Sequence, residues 1–281
     1  MGQGRLMYRD IVALVDGAPH AEGVGDCALA LAATHSAHLT IIGLPRDPGH
    51  VMHLAQAPAR VLAQALHQSQ NAAEACAASI EQRALSNGIA CLHQTIETPA
   101  ADYPALIEQV ARRFDLCVIA LPSFESFSED EKLFEAPLFR SGRPVLAVPR
   151  GAPAPAAFDR IMVAWDGGRE AARAIGDSMP ILMRAKIVEV VTIAGRNGAH
   201  EAELPGCHIS GHLSRHGVSN EFRRLDGRDS PGNLLLGRAT DMQADLIVMG
   251  AYRHSRWRQA VIGGATRDMM QKTKIPLLMA R

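Results

Sequence analysis

Apolar residues along the chain fall into two kinds of run. Short unbroken runs, at Ile11–Val15, Leu39–Leu44, Leu116–Leu121 and Val145–Val148, have no polar face and read as strands buried on both sides. Ile89–Thr95 adds a further strand. Longer alanine- and leucine-rich stretches, at Cys27–Ala37, Val61–Leu85 and Tyr103–Arg113, carry polar residues at helical spacing and read as helices. The downstream half alternates in the same way. Strands are predicted at Ile161–Ala164, Ile187–Ile193, Glu221–Leu225, Leu246–Met249 and Pro276–Met279, with helices at Glu170–Arg184, Ile209–His216 and Asn233–Met242. Buried strands separated by helices require parallel sheets and right-handed crossovers. The predicted class is therefore α/β, with doubly wound, Rossmann-like α/β/α sheets.

The halves repeat each other in order. Asp10-Ile11-Val12-Ala13-Leu14-Val15-Asp16-Gly17 returns as Arg160-Ile161-Met162-Val163-Ala164-Trp165-Asp166-Gly167. Asp115-Leu116-Cys117-Val118-Ile119-Ala120 returns as Asp245-Leu246-Ile247-Val248-Met249-Gly250, and the Pro144 strand returns as the Pro276 strand. The first half carries extra chain between its first and fourth strands. Between the copies, Pro149–Ala157 holds three prolines among small residues, a composition that favours a short stiff linker. Two domains are expected, 1–150 and 151–281, each one copy of a single fold.

Composition narrows the class. At 281 residues, 47% hydrophobic and 21% charged, the chain has enough apolar material for two cores and is not a disordered tail. Its 29 basic and 29 acidic residues cancel, so no basic surplus exists to draw nucleic acid. No apolar run approaches a membrane span. The first residues show neither an apolar signal core nor a myristoylation hydroxyl. Five scattered cysteines without a Cys-x-x-Cys pair do not form a disulfide framework. A soluble cytoplasmic protein is expected, with no nucleic-acid or membrane partner.

In parallel α/β sheets ligands sit at the carboxyl ends of the strands, which directs attention to the loop after Leu246–Met249. There Gly250-Ala251-Tyr252-Arg253 is followed by nine residues and then Gly263-Gly264-Ala265-Thr266, opening a helix. Glycines let successive amides point into one concavity, and a helix N-terminus adds unpaired N–H groups. Such a loop can hold phosphates without a Walker lysine. It can equally be a tight turn packed on the sheet.

An aspartate after the first strand, a Gly-x2-Gly-x9-Gly-Ser/Thr pattern after the fourth, and an early proline in the last strand resemble the universal stress protein family in its tandem form. The resemblance implies a Rossmann-like fold that pairs through its last strands, so the two halves are expected to form a pseudo-dimer. Some family members bind ATP or AMP and others bind no nucleotide. By position, Ala164 and Asp166 would lie beside the adenine and ribose, and Ile193 near the base. Gly250, Gly263, Gly264, Ala265 and Thr266 would hold ribose and phosphates, with magnesium present only as the nucleotide's counter-ion. Two positions depart from the pattern. Arg253 stands at the second glycine, where it can pair with a phosphate or fill the space; Gly264 stands at the hydroxyl residue. In the first half Ala120 replaces Gly250, and residues 121–142 read as an acidic loop, with Glu125, Glu129, Asp130, Glu131 and Glu135. That loop is expected to bind no ATP.

Other motifs have ordinary readings. Gly23-Val24-Gly25-Asp26-Cys27-Ala28 matches a dinucleotide fingerprint but begins well past the strand end, so it reads as a flexible lead into the first helix. Cys207, His208 and His212, with His216, could share a zinc ion along one helical stripe, or belong to a plain amphipathic segment. His254, Arg256, Trp257 and Arg258 read as a solvated loop beside the phosphate site. No Gly-x-Ser-x-Gly elbow or Cys/His nucleophile is present. The expected function is a stress-response regulator that binds an adenine nucleotide in its second domain. A nucleotide-free protein-interaction module and a weak ATPase are the alternatives, and a homodimer or an unidentified protein partner is compatible with each.

Overall fold

The computed structural model describes residues 7–46, 57–97, 102–123, 129–151, 155, 157–193, 208–251 and 265–281. They form two compact units, Tyr8–Ala156 and a second whose body is Ala157–Arg281.

In the first unit the order is β1 (Asp10–Val15), α1 (Ala21–His35), β2 (His38–Gly43), α2 (Ala59–Ser86), β3 (Cys91–Thr95), α3 (Tyr103–Ala111), β4 (Leu116–Ala120), α4 (Glu129–Arg140) and β5 (Val145–Val148). The strands lie side by side as β3-β2-β1-β4-β5, all parallel. In the second unit the order is β6 (Arg160–Ala164), α5 (Arg169–Leu182), β7 (Ile187–Ile193), α6 (Ile209–Arg215), β8 (Asn220–Leu225), α7 (Pro231–Asp241), β9 (Leu246–Gly250), α8 (Ala265–Lys272) and β10 (Leu277–Ala280). Its strands run β8-β7-β6-β9-β10, again all parallel. Each sheet is a doubly wound α/β arrangement whose order reverses beside its first strand, between β1 and β4 or between β6 and β9. The continuous apolar runs explain the geometry. Ile11, Leu39, Ile41, Leu116 and Leu146 in the first sheet, and Ile161, Met162, Leu246 and Leu278 in the second, are fully buried. Each such side chain contributes about 1.5–3 kcal/mol by leaving water.

The repeated aspartates have a repeated task. The Asp115 carboxylate accepts the backbone N–H groups of Arg9 and Asp10, at 2.8 and 3.2 Å. Asp245 accepts those of Asp159 and Arg160, at 2.8 and 3.0 Å. In both units the residue before the fourth strand bolts down the start of the first. A buried carboxylate also braces the second unit. Glu189 on β7 accepts Nε–H from Arg223 of β8 at 2.7 Å and from Arg238 of α7 at 2.8 Å. The hydrogen bond from Arg238 outweighs burial and keeps the Glu189 carboxyl below its ordinary range.

Two expectations are corrected. The segment read as an acidic loop contains a helix, α4, whose Phe134 and Leu138 are buried four residues apart. Their spacing forms an apolar stripe beneath the acidic surface. The Gly23–Ala28 motif is no lead-in, because α1 already starts at Ala21 and Gly25 packs against Ile80 of α2. That position inside a helix removes it from any strand-to-helix phosphate turn.

Candidate functional site

In the second unit the register brings the carboxyl ends of three strands level. Ala164, the last residue of β6, pairs with Met249 of β9 on one side and Val191 of β7 on the other. Gly250 and Ile193 therefore close their strands just beyond Ala164, flanking the point where strand order reverses. The loop that follows turns sharply at Gly167, with φ +71°. Asp166 lies exposed in it, and its carboxylate accepts the N–H of Gly168 at 2.8 Å. Among the described residues it makes no ion pair. Beside it the Trp165 indole N–H is buried with no acceptor among the described residues.

Gly250 serves the helix that follows β6. A Cβ there would stand 2.6 Å from the backbone nitrogen of Ala171 and 2.7 Å from the carbonyl carbon of Glu170. The missing side chain thus lets the first turn of α5 close on the end of β9. Gly168 caps that helix without a side chain, so the first-turn N–H groups of α5 have no side-chain acceptor at the cap. Ala265 and Thr266 open α8, which packs on α7 where Gly232 meets Asp268 and the Ala265 carbonyl. Ala164, Asp166, Ile193 and Gly250 are together at one strand edge, while Ala265 and Thr266 stand at the start of α8 beside Gly232 of α7. Arg253, Gly263 and Gly264 lie outside the described residues, as does the segment holding His254 to Arg258.

The corresponding edge of the first unit is built differently. Asp16, matching Asp166, also accepts an N–H from its own turn, that of Ala18 at 3.1 Å. It then pairs with Arg46, whose Nε donates at 2.7 Å and whose terminal nitrogen also reaches it, and with His20 at 3.2 Å. Burial works to raise the Asp16 carboxyl, but the His20 hydrogen bond and the Arg46 charge overcome it and hold it well below the usual carboxylate range. Arg46 also approaches Asp130 of α4 at 3.6 Å, and Arg150 donates to the same carboxylate at 2.6 Å. Above them passes α2. A Cβ on Gly17, where φ is +75°, would lie 2.6 Å from the Ala72 carbonyl carbon, so helix backbone sits directly on the turn after β1. With 28 residues α2 is about 42 Å long. Its buried stripe begins only at Ala73, so Ala59–Ala72 extends past the strand ends.

Sequence reasoning missed this cluster. Arg46, Arg150 and Asp130 arrive from three separate segments, and no local spacing links them. The usable signal was a charged residue just beyond each of two strands, Arg46 after β2 and Arg150 after β5.

The histidines near α6 stand on one short helix. His212 and His216 place their ring centroids 4.6 Å apart, and His208 stands at the helix cap. Among the described residues no group of three His, Cys, Asp or Glu side chains is placed to hold a metal; Cys207 lies outside them. Burial pushes the Cys27 and Cys117 thiols up to about 12 and Cys91 to about 11, leaving no activated thiolate there. No helix among the described residues is long and apolar enough to cross a membrane.

Fold and strand-edge geometry together define a parallel α/β protein of two like units, each with its strand order reversing beside its first strand. The universal stress protein family model matches residues 196–281. A universal stress protein from Archaeoglobus fulgidus DSM 4304 shares the fold with TM-score 0.72 at 14% identity, covering 97% of this chain and 96% of its own. A putative universal stress protein from Pseudomonas aeruginosa UCBPP-PA14 does so with TM-score 0.57, also at 14% identity, over 97% of this chain and 93% of its own. No curated protein matches the sequence. The C-terminal end of the chain is thus similar to the universal stress protein family, and the fold along nearly the whole length is shared with solved universal stress proteins.

Proposed function

We propose that the second unit binds an adenine nucleotide, ATP or AMP, at the carboxyl edge of β6, β7 and β9, and that the protein is a stress-response regulator rather than a catalyst. The observation that carries this reading is the free state of Asp166. It stands exposed at the switch point, bound only to its own turn among the described residues, where Asp16 is locked in ion pairs. A ribose hydroxyl is a suitable donor to such a carboxylate, and half-buried Ile193 offers an apolar wall for a base. The orphaned Trp165 N–H suits a ligand acceptor. The uncapped first turn of α5 favours negative charge. Magnesium would enter only with the phosphates. Regulation follows because a ligand stabilises the state that binds it.

Nucleotide analysis of purified protein, then ATP titration of wild type, Asp166→Asn and Arg253→Gly, tests the reading. Wild type should bind, and Asp166→Asn should bind at least ten-fold more weakly, about 1.4 kcal/mol or more. If wild type and Arg253→Gly both fail at millimolar ATP, the nucleotide reading falls and an interaction module stands in its place. Binding by Arg253→Gly alone identifies Arg253 as a block.

A further inference from the structure

We propose that the first unit contains an anion site already occupied by one of the protein's own carboxylates. This goes beyond the nucleotide reading, which concerns the other unit. Two guanidiniums converge on Asp130 near the start of α4, Arg46 at 3.6 Å and Arg150 at 2.6 Å. The Ser123 hydroxyl, from the chain after β4, donates to the same carboxylate at 3.2 Å. Donors from the ends of β2, β4 and β5 thus meet at one oxyanion.

Each guanidinium has a second anchor that does not involve Asp130. Arg46 is held by Asp16 through its Nε at 2.7 Å. Arg150 donates its Nε–H to the Leu121 carbonyl at 2.8 Å. The pair is therefore oriented before Asp130 arrives. Two pre-set guanidiniums with a hydroxyl form a donor set for a tetrahedral oxyanion of the phosphate class. Asp130 is only 16% exposed in its side chain, and it fills that role from within, fastening α4 to the strand ends. In the wild-type protein the site is closed to outside anions; removal of the one charge opens it.

The test uses the full chain, with orthophosphate as probe and sodium chloride of matched ionic strength as control. Wild type and Asp130→Asn are melted in both. Relative to chloride, phosphate should shift wild type only by its general salting-out effect and by any binding in the second unit, and that common shift is the baseline for every variant. Beyond that baseline, phosphate should raise the Tm of Asp130→Asn by about 3–5 °C at ten times its Kd. Adding Arg150→Met to Asp130→Asn should abolish the further rise. A shift of folded Asp130→Asn that only equals the wild-type baseline overturns the proposal. So does a further rise that survives Arg150→Met. Should Asp130→Asn fail to fold in chloride, phosphate must restore its helical circular dichroism, and failure of that rescue also overturns the proposal.

Discussion

At the carboxyl edge of the first sheet Asp16 is gripped by Arg46 and His20, a second carboxylate is held by Arg150, and a long helix lies across the turn. At the matching edge of the second sheet Asp166 meets only the N–H of Gly168 among the described residues, and the neighbouring glycine admits the uncapped start of α5. Both edges inherit the same strand order and the same aspartate, so the fold alone does not decide what they do. The difference comes from chain added after β2, which carries Arg46, and from Asp130 at the start of the helix after β4. One edge pairs its carboxylates with arginines of its own unit. At the other, a carboxylate and a buried indole N–H make no such pairing among the described residues.

The largest expected effect strikes a brace that, among the described residues, belongs to the second unit. Glu189→Ala would strip the partly buried Arg238 of its partner while the half-exposed Arg223 turns to water, at a cost of about 3 kcal/mol. Urea unfolding followed by tryptophan fluorescence should show an early transition, because Trp165 lies in that unit. A curve matching wild type would remove Glu189 from the framework.

The next contrast is between the paired aspartates themselves. Asp16→Asn should destabilise by about 1–3 kcal/mol, through loss of charged hydrogen bonds, and should leave ATP titration unchanged. Its carboxyl is held below its ordinary range, so this stability is present above about pH 4 and is lost as pH falls through the lowered folded value. Asp166→Asn should alter stability by less than about 0.5 kcal/mol while weakening nucleotide binding. If the two substitutions exchange effects, the asymmetry between the edges is wrong.

Smaller still is the cap of α7. The Ser230 hydroxyl accepts the N–H of Asn233 at 3.3 Å ahead of Pro231, and Ser230→Ala should cost about 1 kcal/mol in thermal melts.

The smallest effect is a pH slope confined to the first unit. His93 on edge strand β3 lies between Glu81 at 2.7 Å and Glu74 at 2.9 Å on α2, and those partners, Glu74 foremost, raise its pKa. Its contribution is complete below about pH 6.5 and is lost as pH rises through the raised folded value. Thr95 and His93 hold the Glu74 carboxyl low, so the carboxylate side fails only as pH falls below its ordinary range. Stability measured from pH 6 to 9 should decline more steeply in wild type than in His93→Gln, and parallel profiles would dismiss the clamp.

The strands were legible because strands buried on both faces need unbroken apolar runs; Val145–Val148 is predicted and found with the same ends. The repeated aspartates were legible as a repeat, although their grip on backbone N–H groups was not. Helix α4 escaped notice because its acidic surface and internal Pro137 disguise the Phe134–Leu138 stripe. Helix α1 was expected to start later because Gly23 and Gly25 have poor helix propensity, which packing against α2 overrides. Ala164, Asp166, Ile193 and Gly250, named from the sequence as residues that would hold a nucleotide, lie at one strand edge. Of the two readings of the glycines, close packing is the one Gly250 displays, against the start of α5. The Arg46–Asp130–Arg150 cluster was beyond reach, because three-dimensional proximity of residues so far apart in sequence leaves no periodic trace.

The bolts made by Asp115 and Asp245 set a boundary between what this architecture keeps and what it can trade. They secure the strands at the end opposite the carboxyl edge, using backbone N–H groups that every residue except proline provides. Loops at the carboxyl edge can therefore be lengthened, recharged or replaced without unfastening the frame beneath. The chain is in effect a pair of identical sockets fitted with different tools. Exchanging the segment after β2 for the one after β7 would be a change of tool, with the socket left as it was.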